Sequence, residues 1–334
     1  MTEQLKKDQQ RIRELRDPLI GKVIDEQFHI LTWIGKGAYS NVYKAAQTTV
    51  RDRIVAVKVI RRAQAAYAAS QQGGTDTNPF EHEVAYNLRL KNAAVVRAIQ
   101  AGRTEDGIDY IAMEYVDGTN LDKYIRDKGP LPISEVITLA DNLLGFAEEM
   151  HQQGIAHCDL KPDNVMRKVL PSGQIRFKVL DLGQTRHLNM PQSGDIIGTP
   201  AFIAPEVAMG FPVDVRSEVY ACGTILYEAL TGRHAIDIER HSVEGYVDYL
   251  RDADSPIPTH EVLELRPDCP PAIAEVIEWA LNRHPADRPL TASDFRDAVL
   301  EAAEESGSHP LQTNVSTGVF AKIKSFFSRI TKRK

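Results

Sequence analysis

The spacing of apolar positions changes about a third of the way along the chain. In the first part, apolar residues cluster in short runs rich in β-branched and aromatic side chains. Residues 28–34, 42–46 and 54–60 predict three strands, and residues 94–101 and 110–115 two more. Residues 61–79 are rich in Ala, Gln and Gly and close on Gly73-Gly74-Thr75-Asp76-Thr77-Asn78-Pro79, a long connection before a helix starting near Phe80. From about Leu121 the apolar positions recur at helical spacing. They predict helices over residues 133–152, 217–231, 272–282 and 292–304. Strands first and helices afterwards predict an α+β chain of two lobes, a small β-rich one and a larger helical one. Leu5, Ile12, Leu15 and Leu19 fall at roughly helical spacing in the polar stretch ahead of the first strand, as in a short helix lying on the body or fraying.

Composition narrows the classes. With 334 residues, 43% hydrophobic and 26% charged, the chain can bury a sizeable core. A net charge of −6 speaks against a nucleic-acid-binding body. Residues 320–334 hold Lys322, Lys324, Arg329, Lys332, Arg333 and Lys334 and no acid, so the rest carries −12 against that total. Three cysteines, none at metal-ligand spacing, suit a reducing compartment and a cytoplasmic location. No signal-peptide core is evident, and no apolar run approaches the roughly 20 residues of a membrane span.

Four segments carry candidate chemistry. Gly35-Lys36-Gly37-Ala38-Tyr39-Ser40-Asn41-Val42 is glycine-rich and lies between two predicted strands. Glycine lets main chain approach a phosphate and tolerates positive φ. A strand rather than a helix follows, which disfavours a dinucleotide fold and favours a lid over a nucleotide. Lys58 sits inside the apolar strand Ile54-Val55-Ala56-Val57-Lys58-Val59-Ile60, where an ammonium needs a partner. Tyr110-Ile111-Ala112-Met113-Glu114-Tyr115-Val116-Asp117-Gly118 reads on periodicity alone as a strand ending in a turn. The richest segment is His157-Cys158-Asp159-Leu160-Lys161-Pro162-Asp163-Asn164, followed by Asp181-Leu182-Gly183. It supplies a carboxylate, an ammonium, an amide and a second carboxylate, the groups phosphoryl transfer needs.

In order and spacing these motifs resemble the eukaryotic-type protein serine/threonine kinases, in a compact form like that of the bacterial members. The resemblance implies a bilobal α+β kinase fold over residues 25–303, divided into 25–116 and 117–303. Residues 1–24 would be an N-terminal extension, 304–318 a linker and 319–334 a basic tail. It implies transfer of the γ-phosphoryl group of ATP to Ser/Thr hydroxyls of proteins, with Mg²⁺ or Mn²⁺. By that likeness Asp159 is the base or orienting acceptor, Lys161 neutralises the γ-phosphate, and Thr199 bonds both. Asn164 and Asp181 hold the metal. Gly35, Lys36, Gly37, Ser40, Val42, Ala56, Lys58, Met113, Glu114, Val116 and Met166 line the nucleotide site. Glu83 pairs with Lys58, with Glu81 the second candidate. Glu206 pairs with Arg288, and Gly198-Thr199-Pro200 opens a peptide-binding segment that ends at Glu206.

Two positions depart from the family. Cys158 replaces the usual Arg, which elsewhere pairs with a phosphorylated loop residue. Activity is therefore expected not to depend on phosphorylation of Thr185, Ser193 or Thr199. A thiolate switch at Cys158 would need a cation, and Lys161 is the nearest in sequence. Glu218 replaces the usual Asp, and the extra methylene is expected to shift its brace on the catalytic loop. These departures keep a scaffold without activity as one alternative; a small-molecule kinase is another. In the tail, Phe320, Ile323, Phe327 and Ile330 share one helical face, which suits an anionic membrane surface, a partner protein or the kinase body.

Overall fold

A computed structural model describes residues 17–37, 40–60, 79–191, 198–238 and 242–308. Residues 1–16, residues 61–78, Ser193 and the tail lie outside these. The chain divides into two units. Of the described residues, one takes in those up to Arg89 together with Val96–Asp117; the other takes in Leu90–Val95 and those from Gly118 onward. The segment Leu90–Val95, which the sequence assigns to the small lobe, thus belongs with the helical unit.

The first unit is a sheet with one helix. Its strands are β1 (Val23–Ile24), β2 (Phe28–Lys36), β3 (Ser40–Gln47), β4 (Ile54–Ile60), β5 (Ala98–Arg103) and β6 (Asp109–Glu114); its helix is α1 (Pro79–Arg89). The strand order is β1-β2-β3-β4-β6-β5, and all pairs are antiparallel. Such a sheet can bury one face only. Here Phe28, Ile30, Tyr43, Ala45, Val55, Val57, Tyr110 and Ala112 build that face, with Leu19 and Ile20 packed against them. The expected strand over 94–101 slides: β5 begins at Ala98, while Val95 forms an isolated bridge with Val179 inside the other unit.

The second unit is mainly helical. It contains β7 (Thr119–Asn120), α2 (Leu121–Lys128), α3 (Ile133–Gln152), β8 (Ile155–Ala156), β9 (Val165–Val169), β10 (Ile175–Val179), β11 (Arg186–His187), α4 (Pro205–Ala208), α5 (Val215–Thr231), α6 (Val243–Arg251), α7 (Val262–Leu265), α8 (Pro271–Ala280) and α9 (Ala292–Glu305). Helix α3 buries Val136, Leu139, Ala140, Leu143, Leu144, Phe146, Ala147 and Met150. Helix α5 begins two residues earlier than its apolar period suggests. Asp214 caps it, accepting from Arg216 N–H and Ser217 N–H, and the Ser217 hydroxyl returns a contact to the Asp214 amide. It stops at Gly232, whose φ of 76° is the left-handed cap that glycine takes without strain. Among the described residues no helix is long and apolar enough to cross a membrane.

Candidate active site

In the first unit the buried ammonium finds its partner. Lys58 Nζ lies 2.7 and 2.8 Å from the two oxygens of Glu83 on α1, and both side chains are buried. Glu81, the other candidate, is exposed. Strand register puts Lys58 opposite Val42 and Ile111, and Ala56 opposite Lys44 and Met113. Period-two alternation then sets Val42, Ala56, Lys58 and Met113 on one face of the sheet. Glu114 ends β6 and its N–H donates to Arg97 O at 3.0 Å. Val116 lies just beyond, and its main chain takes no hydrogen bond among the described residues.

Gly35 pairs with Val42 and Lys36 with Asn41, and the Gly37 N–H donates to Ser40 O at 2.9 Å, closing the hairpin. The glycine at 35 is not there for a left-handed turn, because its φ is not positive. A Cβ at that position would meet nothing nearer than Val42 Cβ at 3.9 Å. The chain's own packing therefore does not demand glycine there.

In the second unit one hydrogen-bonded set joins four of the sequence candidates. Asp159 Oδ1 accepts from Thr199 Oγ1 at 2.8 Å and from Lys161 Nζ at 3.1 Å. Lys161 Nζ also donates to Thr199 Oγ1 at 2.9 Å and lies 2.8 Å from Asp159 Oδ2. The Asn164 amide donates to Asp159 Oδ2 and to Asp159 O, at 3.1 and 2.8 Å. With its nitrogen so used, Asn164 presents its amide oxygen on the other side, free of hydrogen bonds among the described residues. The Leu180 N–H donates to Asn164 O at 2.8 Å, which ties Asp181, the next residue, to the same loop. Asp181 has φ of 56° and accepts the Gly183 N–H at 3.0 Å. Met166 follows on β9, opposite Asn120 and Lys178.

Two side chains absent from the sequence candidates hold this loop. His157 is fully buried; its Nε2 meets Leu180 O at 3.1 Å, and its ring packs edge-on to Phe146. Asn120 caps α2 through Lys123 N–H and donates to Asp163 O beside Asn164. Their signals in sequence are faint: a histidine after two apolar residues, and an asparagine ahead of a helix.

Glu218 reaches the loop with its extra methylene. Its Oε1 accepts the His157 and Cys158 N–H groups at 2.6 and 3.3 Å, and its Oε2 meets His151 Nε2 at 2.8 Å. Burial alone would push this carboxyl up. The His151 hydrogen bond, the electrostatic influence of the two neighbouring imidazoles and the His157 N–H outweigh it, and the pKa falls below the ordinary value. A shorter carboxylate cannot span all three contacts. Glu218→Asp is therefore expected to cost about 1.5–3 kcal/mol, the range for a hydrogen bond to a charged group. Urea unfolding checks this; an unchanged or raised midpoint would remove the brace from Glu218.

Cys158 sits at φ of 65°, and its thiol is pushed up to about 12 by burial and by Glu218. Its neighbouring cation is Arg186 on β11 rather than Lys161, which is committed to Asp159 and Thr199. Such a thiol is a poor redox switch. The segment after it is held close: a Cβ on Gly198, at φ of 102°, would come 2.9 Å from Cys158 O and from Ile203 Cγ2. Thr185 is buried. Further along, Arg288 uses all five guanidinium donors. It meets both Glu206 oxygens at 2.8 Å, and the carbonyls of Arg216, Asn282 and Arg283. The Ser217 hydroxyl adds a bond to Glu206 at 2.8 Å.

Residues 28–299 match the protein kinase domain family. The chain is 30% identical over 320 residues to the serine/threonine-protein kinase pkn3 of Myxococcus xanthus, covering 92% of this chain and 56% of that protein. It is 32% identical over 301 residues to a probable serine/threonine-protein kinase PknB of Lactococcus lactis, covering 89% and 43%. With the serine/threonine-protein kinase PknK of Mycobacterium tuberculosis it shares 32% over 298 residues, covering 88% and 25%. The chain thus spans about half the length, or less, of these relatives.

Proposed function

The chain belongs to the protein kinase family, and from that premise we propose that it transfers the γ-phosphoryl group of ATP to serine or threonine hydroxyls of protein substrates. The observation that carries this reading is the hydrogen-bonded set of Asp159, Lys161, Thr199 and Asn164. Asp159 orients the acceptor hydroxyl and takes its proton as the new O–P bond forms and the bond from the γ-phosphorus to the departing ADP breaks. Lys161, already beside that carboxylate, offsets negative charge on the moving group. Thr199 fixes both.

The metal-binding side chains assigned to Asn164 and Asp181 offer oxygen donors only, which suits a hard divalent cation that shares its ligands with phosphates. Bound there, Mg²⁺ or Mn²⁺ supplies neutralising charge for the phosphates. Lys58, held by Glu83, is assigned to the α- and β-phosphates. Gly35 leaves room for main chain to approach phosphate, and Val116 offers unused main-chain groups to adenine. Lys36, Gly37 and Ser40 belong to the same loop; Val42, Ala56 and Met113 are assigned to the base and Glu114 to a main-chain hydrogen bond with adenine, and Met166 is assigned to the base by the family likeness alone. Incubation with radiolabelled ATP tests the reading. Label on serine or threonine that disappears with EDTA is expected; no metal-dependent transfer to any protein would favour a scaffold.

We further propose that phosphorylation of the loop between Asp181 and Glu206 is not required. Without an arginine at 158, Thr199 is held on the catalytic loop by Asp159 and Lys161, and Gly198 lies too close to Cys158 O to admit a side chain. Phosphatase-treated enzyme is expected to keep its activity within about twofold, since no charge-assisted phosphate contact is lost. A large loss restored by loop phosphorylation would defeat this.

The basic tail, outside the described residues, is assigned to an anionic membrane surface, at roughly 1 kcal/mol per basic residue near the headgroups. Co-sedimentation with phosphatidylserine vesicles should fall when residues 318–334 are removed; equal binding would reject the assignment.

A further inference from the structure

We infer that Asp17, Tyr43 and Asn41 form a hydrogen-bonded brace through which the segment ahead of β1 sets the phosphate loop, making them positioning residues for nucleotide binding. The inference rests on the nucleotide reading of the loop at 35–42.

Tyr43 is 1% exposed and its ring belongs to the apolar face of the sheet, so its hydroxyl needs partners inside the protein. It donates to Asp17 Oδ2 at 2.9 Å and accepts from the Asn41 amide at 3.2 Å. The chain of bonds therefore runs from the N-terminal segment, across the covered face of β3, to the base of the hairpin. Asn41 stands opposite Lys36 on β2 and Val59 on β4. The next residue, Ser40, receives the Gly37 N–H that closes the loop.

The far end is anchored independently. Asp17 Oδ1 accepts the Leu19 N–H at 3.0 Å, and Asp17 O accepts the Ile20 N–H at 3.3 Å. Leu19 and Ile20 pack against the core. Gly21 N–H donates to Ile30 O, and Ile30 N–H to Lys22 O, each at 2.9 Å, so this segment is laced to β2 itself. One anchored carboxylate thus fixes a tyrosine hydroxyl, and the hydroxyl fixes the side chain beside the loop. Ordering a glycine-rich hairpin is costly, because each glycine loses much conformational freedom when ordered. Whatever part of that ordering the brace supplies in advance is not drawn from binding energy.

The test is the dissociation constant for ATP–Mg²⁺ on the full chain, by calorimetry, beside urea unfolding. Asp17→Ala and Tyr43→Phe are each expected to weaken ATP binding about fivefold, the worth of one net hydrogen bond. The double variant should be no weaker than either, since both cut one chain. A purely structural role would lower the unfolding midpoint and leave ATP affinity unchanged, which overturns the inference. A wild-type chain that takes up no ATP would instead strike down the phosphoryl-transfer reading.

Discussion

Asp159→Asn is expected to lower the rate of phosphoryl transfer by about 10²- to 10⁴-fold, the contribution of a positioned general base, with the fold retained. The substitution keeps size and shape. An amide oxygen can still accept from Thr199 Oγ1, now 2.8 Å from Asp159 Oδ1. What is lost is the ability to take a proton and the negative charge facing Lys161. The amide nitrogen would also occupy the place of Oδ2, where it meets the Asn164 amide nitrogen now 3.1 Å away, donor against donor. Single-turnover rates at saturating ATP, with urea unfolding as the control for folding, give the readout. A loss smaller than tenfold would remove Asp159 from the proton-accepting role.

Much of the fold is legible in the chain because its periods are clean. The run Ile54–Ile60 is β-branched almost throughout, and the strand has those bounds. Helix α3 matches its predicted span because its apolar stripe is unbroken from Val136 to Met150. Residues 94–101 mislead because an apolar run does not say which neighbour it joins. Val95 bridges to Val179, and only from Ala98 does the chain pair with β6. The candidate chemistry is similarly legible by residue type, since the carboxylates, lysines and amide stand in family order. The reach of a side chain is not. That Glu218 spans from α5 to two loop amides and to His151 depends on where α5 lies, which spacing along the chain does not encode. The same holds for Cys158, whose neighbouring cation comes from β11, far along the sequence.

The second large effect concerns Lys58. Lys58→Met is expected to abolish transfer and to destabilise the protein by about 3–5 kcal/mol, the cost of breaking a buried ion pair by removing one partner. The argument is one of location. The Lys58 and Glu83 side chains are 7% and 9% exposed, and the ammonium touches both carboxylate oxygens. Removing it takes the nearest cation from a desolvated carboxylate on α1. Buried pairs replaced as a pair behave differently, because apolar side chains of similar volume carry no desolvation cost. Lys58→Met with Glu83→Leu should therefore recover most of the lost stability while transfer stays absent. Urea unfolding and radiolabel incorporation on the three proteins separate the two roles. Equal stability of Lys58→Met and wild type would mean the pair is worth little in folding. Recovered transfer in the double variant would remove Lys58 from the phosphates. A lysine in an apolar strand costs stability unless paired, so the expected pattern, stability restored and chemistry still missing, identifies transfer as what the charge is kept for.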